Sequence, residues 1–248
     1  MKITKDILYS HSDEFNNKLD LYIPDGECTA TFVYFHGGGL ECGDKADIEF
    51  AEGLVQKGIA VVSANYRMYP DAVYPEFIRD AAAAVNWTFE HIEEYGGKRN
   101  IFVGGSSAGA YLTMMLCFDK KYFMPYGIGI EDISGFIHDA GQPTTHFNIL
   151  REKGFDSRCV VVDETAPLYY VEHNTNYPAM LFIVSDNDMP NRLEQTKLMI
   201  KTLEHFENDM SKVSLKIMQD SEHDSYLNTE PENGNMFEKI VCDFIINK

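Results

Sequence analysis

Apolar runs of strand length alternate with helix-length stretches along nearly the whole chain. Thr31–Phe35 is rich in aromatic and β-branched residues and predicts a strand that ends in a glycine cluster. Ala46–Lys57 predicts a helix stopped at Gly58, and Ile59–Ala64 a buried strand. Pro75 suits the opening of the next helix, in which Phe77, Ala81, Ala84, Thr88 and Ile92 share one face. Gly96-Gly97 ends that helix, Asn100–Val103 predicts a strand, and Ala108–Phe118 an apolar helix. The second half repeats the alternation. Ile133–His138, Met180–Ser185 and Val213–Met218 predict strands. Leu193–Glu207, with Met199, Leu203 and Phe206 on one side, predicts a helix, and Met236–Ile246 a closing one. Such alternation points to an α/β class with a mostly parallel sheet covered on both faces. Ile3–Tyr9 and Lys18–Ile23 are separated only by a polar turn and predict an antiparallel hairpin at one sheet edge. No repeat or long linker divides the 248 residues, so a single domain is expected over 1–248.

Composition narrows the classes of partner. The net charge is −18, with no basic stripe, which argues against nucleic acid and against anionic membranes. No apolar stretch approaches the roughly 20 residues of a membrane helix, and no secretory signal pattern opens the chain. The five cysteines, Cys28, Cys42, Cys117, Cys159 and Cys242, are odd in number and lack metal-like spacing. A reducing, cytoplasmic location is the expectation.

The sharpest motif is Gly105-Ser106-Ser107-Ala108-Gly109, a G-x-S-x-G between a predicted strand and a predicted helix. That setting is the elbow which lifts a nucleophilic serine, here Ser107, to the end of a sheet. Ser106 is the competing serine but does not stand at the motif's centre. Attack on an ester carbonyl creates an oxyanion that needs donors already aimed at it. His36-Gly37-Gly38-Gly39, after the strand Thr31–Phe35, offers such backbone groups. The expected oxyanion hole is Gly37, Gly38 and Ala108, with His36 structural. A serine hydroxyl needs an adjacent base. Of eight histidines, His223 follows the last strand in a polar loop, and the nearest rival, His205, lies inside a predicted helix. The acid should stand on the loop after Met180–Ser185, which reads Asp186-Asn187-Asp188. Asp188 is preferred over Asp186, and the alternative stays open.

These residues carry a resemblance. His36–Gly39, Asn65-Tyr66-Arg67 with Pro70, Pro75 and Asp80, Gly105–Gly109 and Asp163–Tyr169 resemble HGGG-type serine carboxylesterases of the α/β-hydrolase superfamily. The similarity is to hormone-sensitive-lipase-like enzymes and their small acetyl- and feruloyl-esterase branch. It implies a Ser-His-Asp triad, no cofactor and a small-molecule ester as substrate. Tyr66, Arg67 and Asp80 are expected to lock the fold. Two departures stand out. Only 35 residues precede His36, which leaves no room for the N-terminal cap of hormone-sensitive-lipase relatives. Ser185 stands where those relatives have a glycine before the first acid-loop aspartate.

Residues 141–162 form a long connection, read as a small lid or acyl-pocket wall and expected to be a solvated, largely polar loop. His138, Asp139 and His146 lie near it but lack helix-phased zinc spacing, so no metal is expected. The leading reading is hydrolysis of short or compact acyl esters, a class that includes acetylated or feruloylated sugars. An amidase or peptidase with the same triad, and a non-catalytic binding protein on the same fold, are the alternatives.

Overall fold

In the computed structural model, which describes residues 1–173, 175–227 and 235–248, the apolar runs become one eight-stranded sheet. In chain order the elements are β1 (Lys2–Leu8), β2 (Lys18–Ile23), β3 (Ala30–Phe35), α1 (Ala51–Gln56), β4 (Ile59–Ala64) and α2 (Glu76–Tyr95). There follow β5 (Ile101–Ser106), α3 (Ala108–Phe118), β6 (Gly135–Asp139), α4 (Phe147–Glu152) and β7 (Ala179–Asn187). The chain ends with α5 (Arg192–His205), β8 (Val213–Glu222) and α6 (Met236–Ile246), and short 3₁₀ turns lie between. The spatial order is β1-β2-β4-β3-β5-β6-β7-β8. All pairs from β4 to β8 are parallel, whereas β1 pairs with β2, and β2 with β4, antiparallel.

Strands buried on both faces need apolar residues at nearly every position, and β3, β4 and β5 are buried along their whole length. Val33 and Phe35 face a layer formed by α2, α3 and α5. Phe32 and Tyr34 face α1 and α6 on the other side. The C-terminal ends of β5, β6, β7 and β8 therefore emerge together at one edge, between two filled layers.

Some boundaries differ from the sequence pattern, for local reasons. The helix expected over Ala46–Lys57 is only α1. The Asp44 carboxylate accepts from the Ala46 N–H (2.9 Å), Asp47 accepts from the Asp44 N–H (3.0 Å), and Asn65 Oδ1 accepts from the Lys45 N–H (2.6 Å). Those side-chain bonds hold the backbone in turns and compete with a helical ladder. β6 starts at Gly135 instead of Ile133 and ends at Asp139. β5 continues through Ser106, because Gly104, Gly105 and Ser106 still pair with Ile137, His138 and Asp139. β8 continues to Glu222, because the Asp186 carboxylate accepts from the N–H groups of Asp220 (3.0 Å) and Ser221 (3.2 Å). His223 thus follows a strand end directly and does not float in a loop.

The edge hairpin is fastened by charge. Lys45 Nζ lies 2.9 Å from Asp20 Oδ1 and 3.0 Å from Asp6 Oδ1, and Asp20 is 1% exposed. Lys45→Ala would leave the Asp20 carboxylate buried without its cation, and breaking such a pair from one side costs about 3 kcal/mol. Urea unfolding should show a loss of that order for Lys45→Ala. Lys201→Ala, which removes the exposed pair Lys201–Glu204, should cost under about 1 kcal/mol. Equal losses would mean that the buried pair contributes nothing special.

Candidate active site

β5 delivers the chain to Ser107 and α3 carries it away. Ser107 has φ 53° and ψ −111°, a conformation that residues with a Cβ rarely adopt. Its N–H donates to the Asp139 carbonyl (2.7 Å), and its carbonyl accepts from the Tyr111 N–H (3.1 Å). The surrounding structure over-determines the strained residue and holds it in place. The flanking glycines allow the turn. A Cβ on Gly109 would lie 2.0 Å from the Phe35 carbonyl oxygen, and one on Gly105 would lie 2.6 Å from the Gly109 carbonyl carbon. Only bare backbone lets β3, β5 and α3 converge so closely.

Three of the residues singled out in the sequence come together in a line. Ser107 Oγ is 2.9 Å from His223 Nε2, and His223 Nδ1 is 2.6 Å from Asp188 Oδ1. Asp188 also accepts from the N–H groups of Met189 (2.7 Å) and Ser185 (3.2 Å). Burial works to raise its carboxyl, but the hydrogen bond and charge of His223 and these N–H groups outweigh it. The carboxyl is held below the usual carboxylate value. Asp186 points elsewhere, to the end of β8. Ser106 Oγ donates to Asp139 Oδ2 (2.6 Å), away from His223.

The glycine run reaches the same place. A Cβ on Gly37 would touch Ser106 O and Ser107 Cβ at 3.3 Å, so this loop lies against the elbow. Gly38 has φ 96°, and a Cβ there would meet the Cys42 carbonyl oxygen at 1.9 Å. Among the described residues, the N–H groups of Gly37, Gly38 and Ala108 have no hydrogen-bond partner. His36 stacks on Tyr66 with centroids 4.5 Å apart, and its Nδ1–H donates to the Gly37 carbonyl (2.8 Å). The Tyr66 hydroxyl donates to the His36 carbonyl (2.9 Å). Arg67 grips Asp80 through Nε (2.8 Å) and Nη2 (2.9 Å), which ties the segment after β4 to α2.

The expected solvated lid is corrected in its first half. Gln142, Thr144, Thr145, His146 and Asn148 are buried, and residues 151–160 are mostly exposed. The burial is tolerated because these side chains find partners: Gln142 Nε2 donates to the Thr145 carbonyl (2.9 Å), and Thr144 Oγ1 donates to Gln195 (3.0 Å). Asn148 Nδ2 donates to the Gly39 carbonyl (3.1 Å), so α4 braces the glycine loop. His138 and Asp139 point to opposite faces of β6. Burial lowers His138 to about 3, and its Nδ1 is 2.9 Å from Thr113 Oγ1. His146 accepts from the Asn148 N–H (3.2 Å). Among the described residues, no group of three His, Cys, Asp or Glu side chains could hold a metal ion.

Sequence reasoning missed three side chains around the line. Asp139, weighed only as a metal ligand, takes hydrogen bonds from Ser106 and from the Tyr226 hydroxyl. Burial, and then Asp224, raise its carboxyl well above the ordinary value, against those two hydrogen bonds. Arg192 is buried on α5 and donates to the Ala140 carbonyl. Asp224 Oδ2 lies 3.2 Å from His223 Nε2. The available signal was position: Asp139 directly follows a predicted strand, and Asp224 follows the expected base. A cleft of about 580 Å³ opens beside His223 and the glycine loop, with Tyr34, Phe50, Asp47, Glu49 and Asp224 in its wall.

Comparison with known proteins bears on the fold and on the first half of the chain. The BD-FAE family model matches residues 19–125, a stretch that contains the glycine run and the elbow but neither Asp188 nor His223. Esterase LipI of Mycobacterium tuberculosis is 36% identical over 96 residues, which cover 38% of this chain and 30% of that protein. The probable isoprenylcysteine alpha-carbonyl methylesterase ICME of Oryza sativa is 32% identical over 163 residues, 56% of this chain and 39% of that protein. The chain therefore spans less than half the length of these relatives. Among solved structures, the thermophilic esterase Est2 of Thermogutta terrifontis superposes with a TM-score of 0.76 at 18% identity, over 98% of this chain and 91% of its own. A truncated carbohydrate esterase from gut microbiota superposes with a TM-score of 0.79 at 17% identity, over 100% of this chain and 96% of its own.

Proposed function

We propose that this chain, an α/β hydrolase by fold, hydrolyses carboxylic esters through an acyl-enzyme on Ser107. The observation that carries the reading is the unbroken line from the strained Ser107 through His223 to Asp188, with distances of 2.9 and 2.6 Å. In the proposed reaction Ser107 Oγ attacks the carbonyl carbon while His223 Nε2 takes the hydroxyl proton. Asp188 holds the proton on Nδ1 and stabilises the imidazolium. The oxyanion takes hydrogen bonds from the N–H groups of Gly37, Gly38 and Ala108. Collapse of the intermediate breaks the bond to the alcohol oxygen, which leaves with the proton from Nε2. Water then repeats the sequence on the acyl-enzyme and frees the acid.

The favoured substrates are short or compact acyl esters, with acetylated or feruloylated sugars foremost. Support comes from the size of the cleft and from its acceptor-rich wall, which suits sugar hydroxyls. Asp47, Glu49 and Asp224 line it, and among the described residues no lysine or arginine does. A cytoplasmic location fits the five unpaired cysteines. No helix among the described residues is long and apolar enough to cross a membrane.

A nitrophenyl ester series tests the reading. Each buried methylene contributes about 0.8 kcal/mol, so an apolar tunnel would reward longer chains steeply. Here kcat/KM should peak between acetyl and butyryl and fall by octanoyl. The matching anilide should be cleaved far more slowly. A succinyl ester, anionic at its far end, should fall roughly tenfold below butyryl through repulsion by the cleft carboxylates. An optimum at octanoyl, or faster cleavage of the succinyl ester, contradicts the substrate class. Faster cleavage of the anilide contradicts the ester reading.

A further inference from the structure

Two carboxylates meet the His223 ring, one at each nitrogen. Asp188 Oδ1 is 2.6 Å from Nδ1, and Asp224 Oδ2 is 3.2 Å from Nε2. Nε2 also faces Ser107 Oγ at 2.9 Å. The two contacts at Nε2 cannot serve the same protonation state. A neutral ring that keeps its proton on Nδ1 offers only a lone pair at Nε2. That lone pair accepts from the Ser107 hydroxyl and has nothing to give an ionised Asp224. Once Nε2 carries a proton, both oxygens compete for it, and the charged carboxylate is the stronger acceptor.

We propose that Asp224 is a positioning residue that captures the Nε2–H of the His223 imidazolium and so withdraws the base from Ser107 as the pH falls. Its effect on Ser107 rests on the hydrolase reading; the contact with His223 does not. The surroundings leave the carboxylate short of other partners. Asp224 follows β8 with φ 55°, and its Oδ1 has no hydrogen-bond partner among the described residues. The charged and titratable groups facing it are Asp188 after β7, Asp139 at the end of β6, Arg192 on α5, Tyr34 on β3, and its neighbours His223 and Tyr226. Burial raises the Asp224 carboxyl to about 6, Asp188 adds to the rise, and His223 and Arg192 oppose it. A proton entering this cluster is shared between Asp224 and Nε2. Removing Asp224 takes away one acceptor, so His223 should become neutral at lower pH.

Diethyl pyrocarbonate acylates neutral imidazole and reads His223 whether or not Ser107 reacts. Its rate at His223, located by peptide mapping, would be followed from about pH 5 to about pH 8 in the full chain. Fluorophosphonate labelling of Ser107 would be followed beside it. Asp224→Asn and Asp224→Ala should both lower the His223 midpoint by about half a pH unit or more. The acid limb of Ser107 labelling should move with it. Asp47→Asn removes an equal charge from the same cleft without touching His223, and its midpoint should stay in place. The near-isosteric Asn variant carries the test if the Ala variant does not fold. An unchanged or raised midpoint in the Asp224 variants overturns the proposal. So does an equal fall in Asp47→Asn, which would show a diffuse field instead of a contact. If the midpoint falls while Ser107 resists the label in every protein, the contact stands and the hydrolase reading fails.

Discussion

Ser107→Ala is expected to abolish fluorophosphonate labelling and to lower kcat by about 10⁶-fold, while far-UV circular dichroism and thermal unfolding stay close to wild type. The substitution keeps the Cβ, so the strained backbone at φ 53° is unchanged. It deletes only the oxygen 2.9 Å from His223. Ser106 cannot step in, because its hydroxyl is committed to Asp139 at 2.6 Å. What remains is the contribution of the donors at Gly37, Gly38 and Ala108 to a water-driven reaction, worth a small residue of the rate. Ser106→Ala should be far milder, since it loses a hydrogen bond and no reacting atom. Residual turnover of Ser107→Ala above about a hundredth of wild type would move the nucleophile elsewhere.

The tight turn at Ser107 was legible because its neighbours have to be glycine. Gly105 and Gly109 leave no room for a side chain, and that constraint shows in the sequence as a motif. The parallel strands were legible for a similar reason: burial on both faces leaves unbroken apolar runs such as Thr31–Phe35. The choice between Asp186 and Asp188 was not legible. Both sit on one short turn, and which carboxylate bends under His223 depends on β8, whose backbone N–H groups occupy Asp186. The buried polar stretch Gln142–Asn148 was misread as solvated because its partners are remote. Thr144 bonds Gln195 and Asn148 bonds Gly39, contacts that no local pattern announces. Asp139 escaped for the same reason, with Tyr226 as its distant partner. Composition reveals that a polar residue is present; only topology supplies the hydrogen bond that lets it be buried.

His223→Ala should match Ser107→Ala in its loss, because members of such a line act as a unit. Asp188→Asn is the more discriminating change. The carboxylate accepts the Nδ1–H of His223 at 2.6 Å and is fixed there by the Met189 and Ser185 N–H groups. An amide in its place can present N–H to Nδ1 and drive the ring proton to Nε2. The nitrogen facing Ser107 then donates instead of accepting, and the base is lost while the shape is kept. The expected fall in kcat is about 10⁴-fold. Asp186→Asn leaves the tautomer alone and loosens only the end of β8. Its kcat should stay within about tenfold of wild type, with a modest fall in thermal stability. All three variants would be assayed on one acetyl ester at neutral pH, beside thermal unfolding to verify the fold. If Asp186→Asn proves the more damaging of the two, the acid is Asp186 and the contact at 2.6 Å is not the one that orients His223.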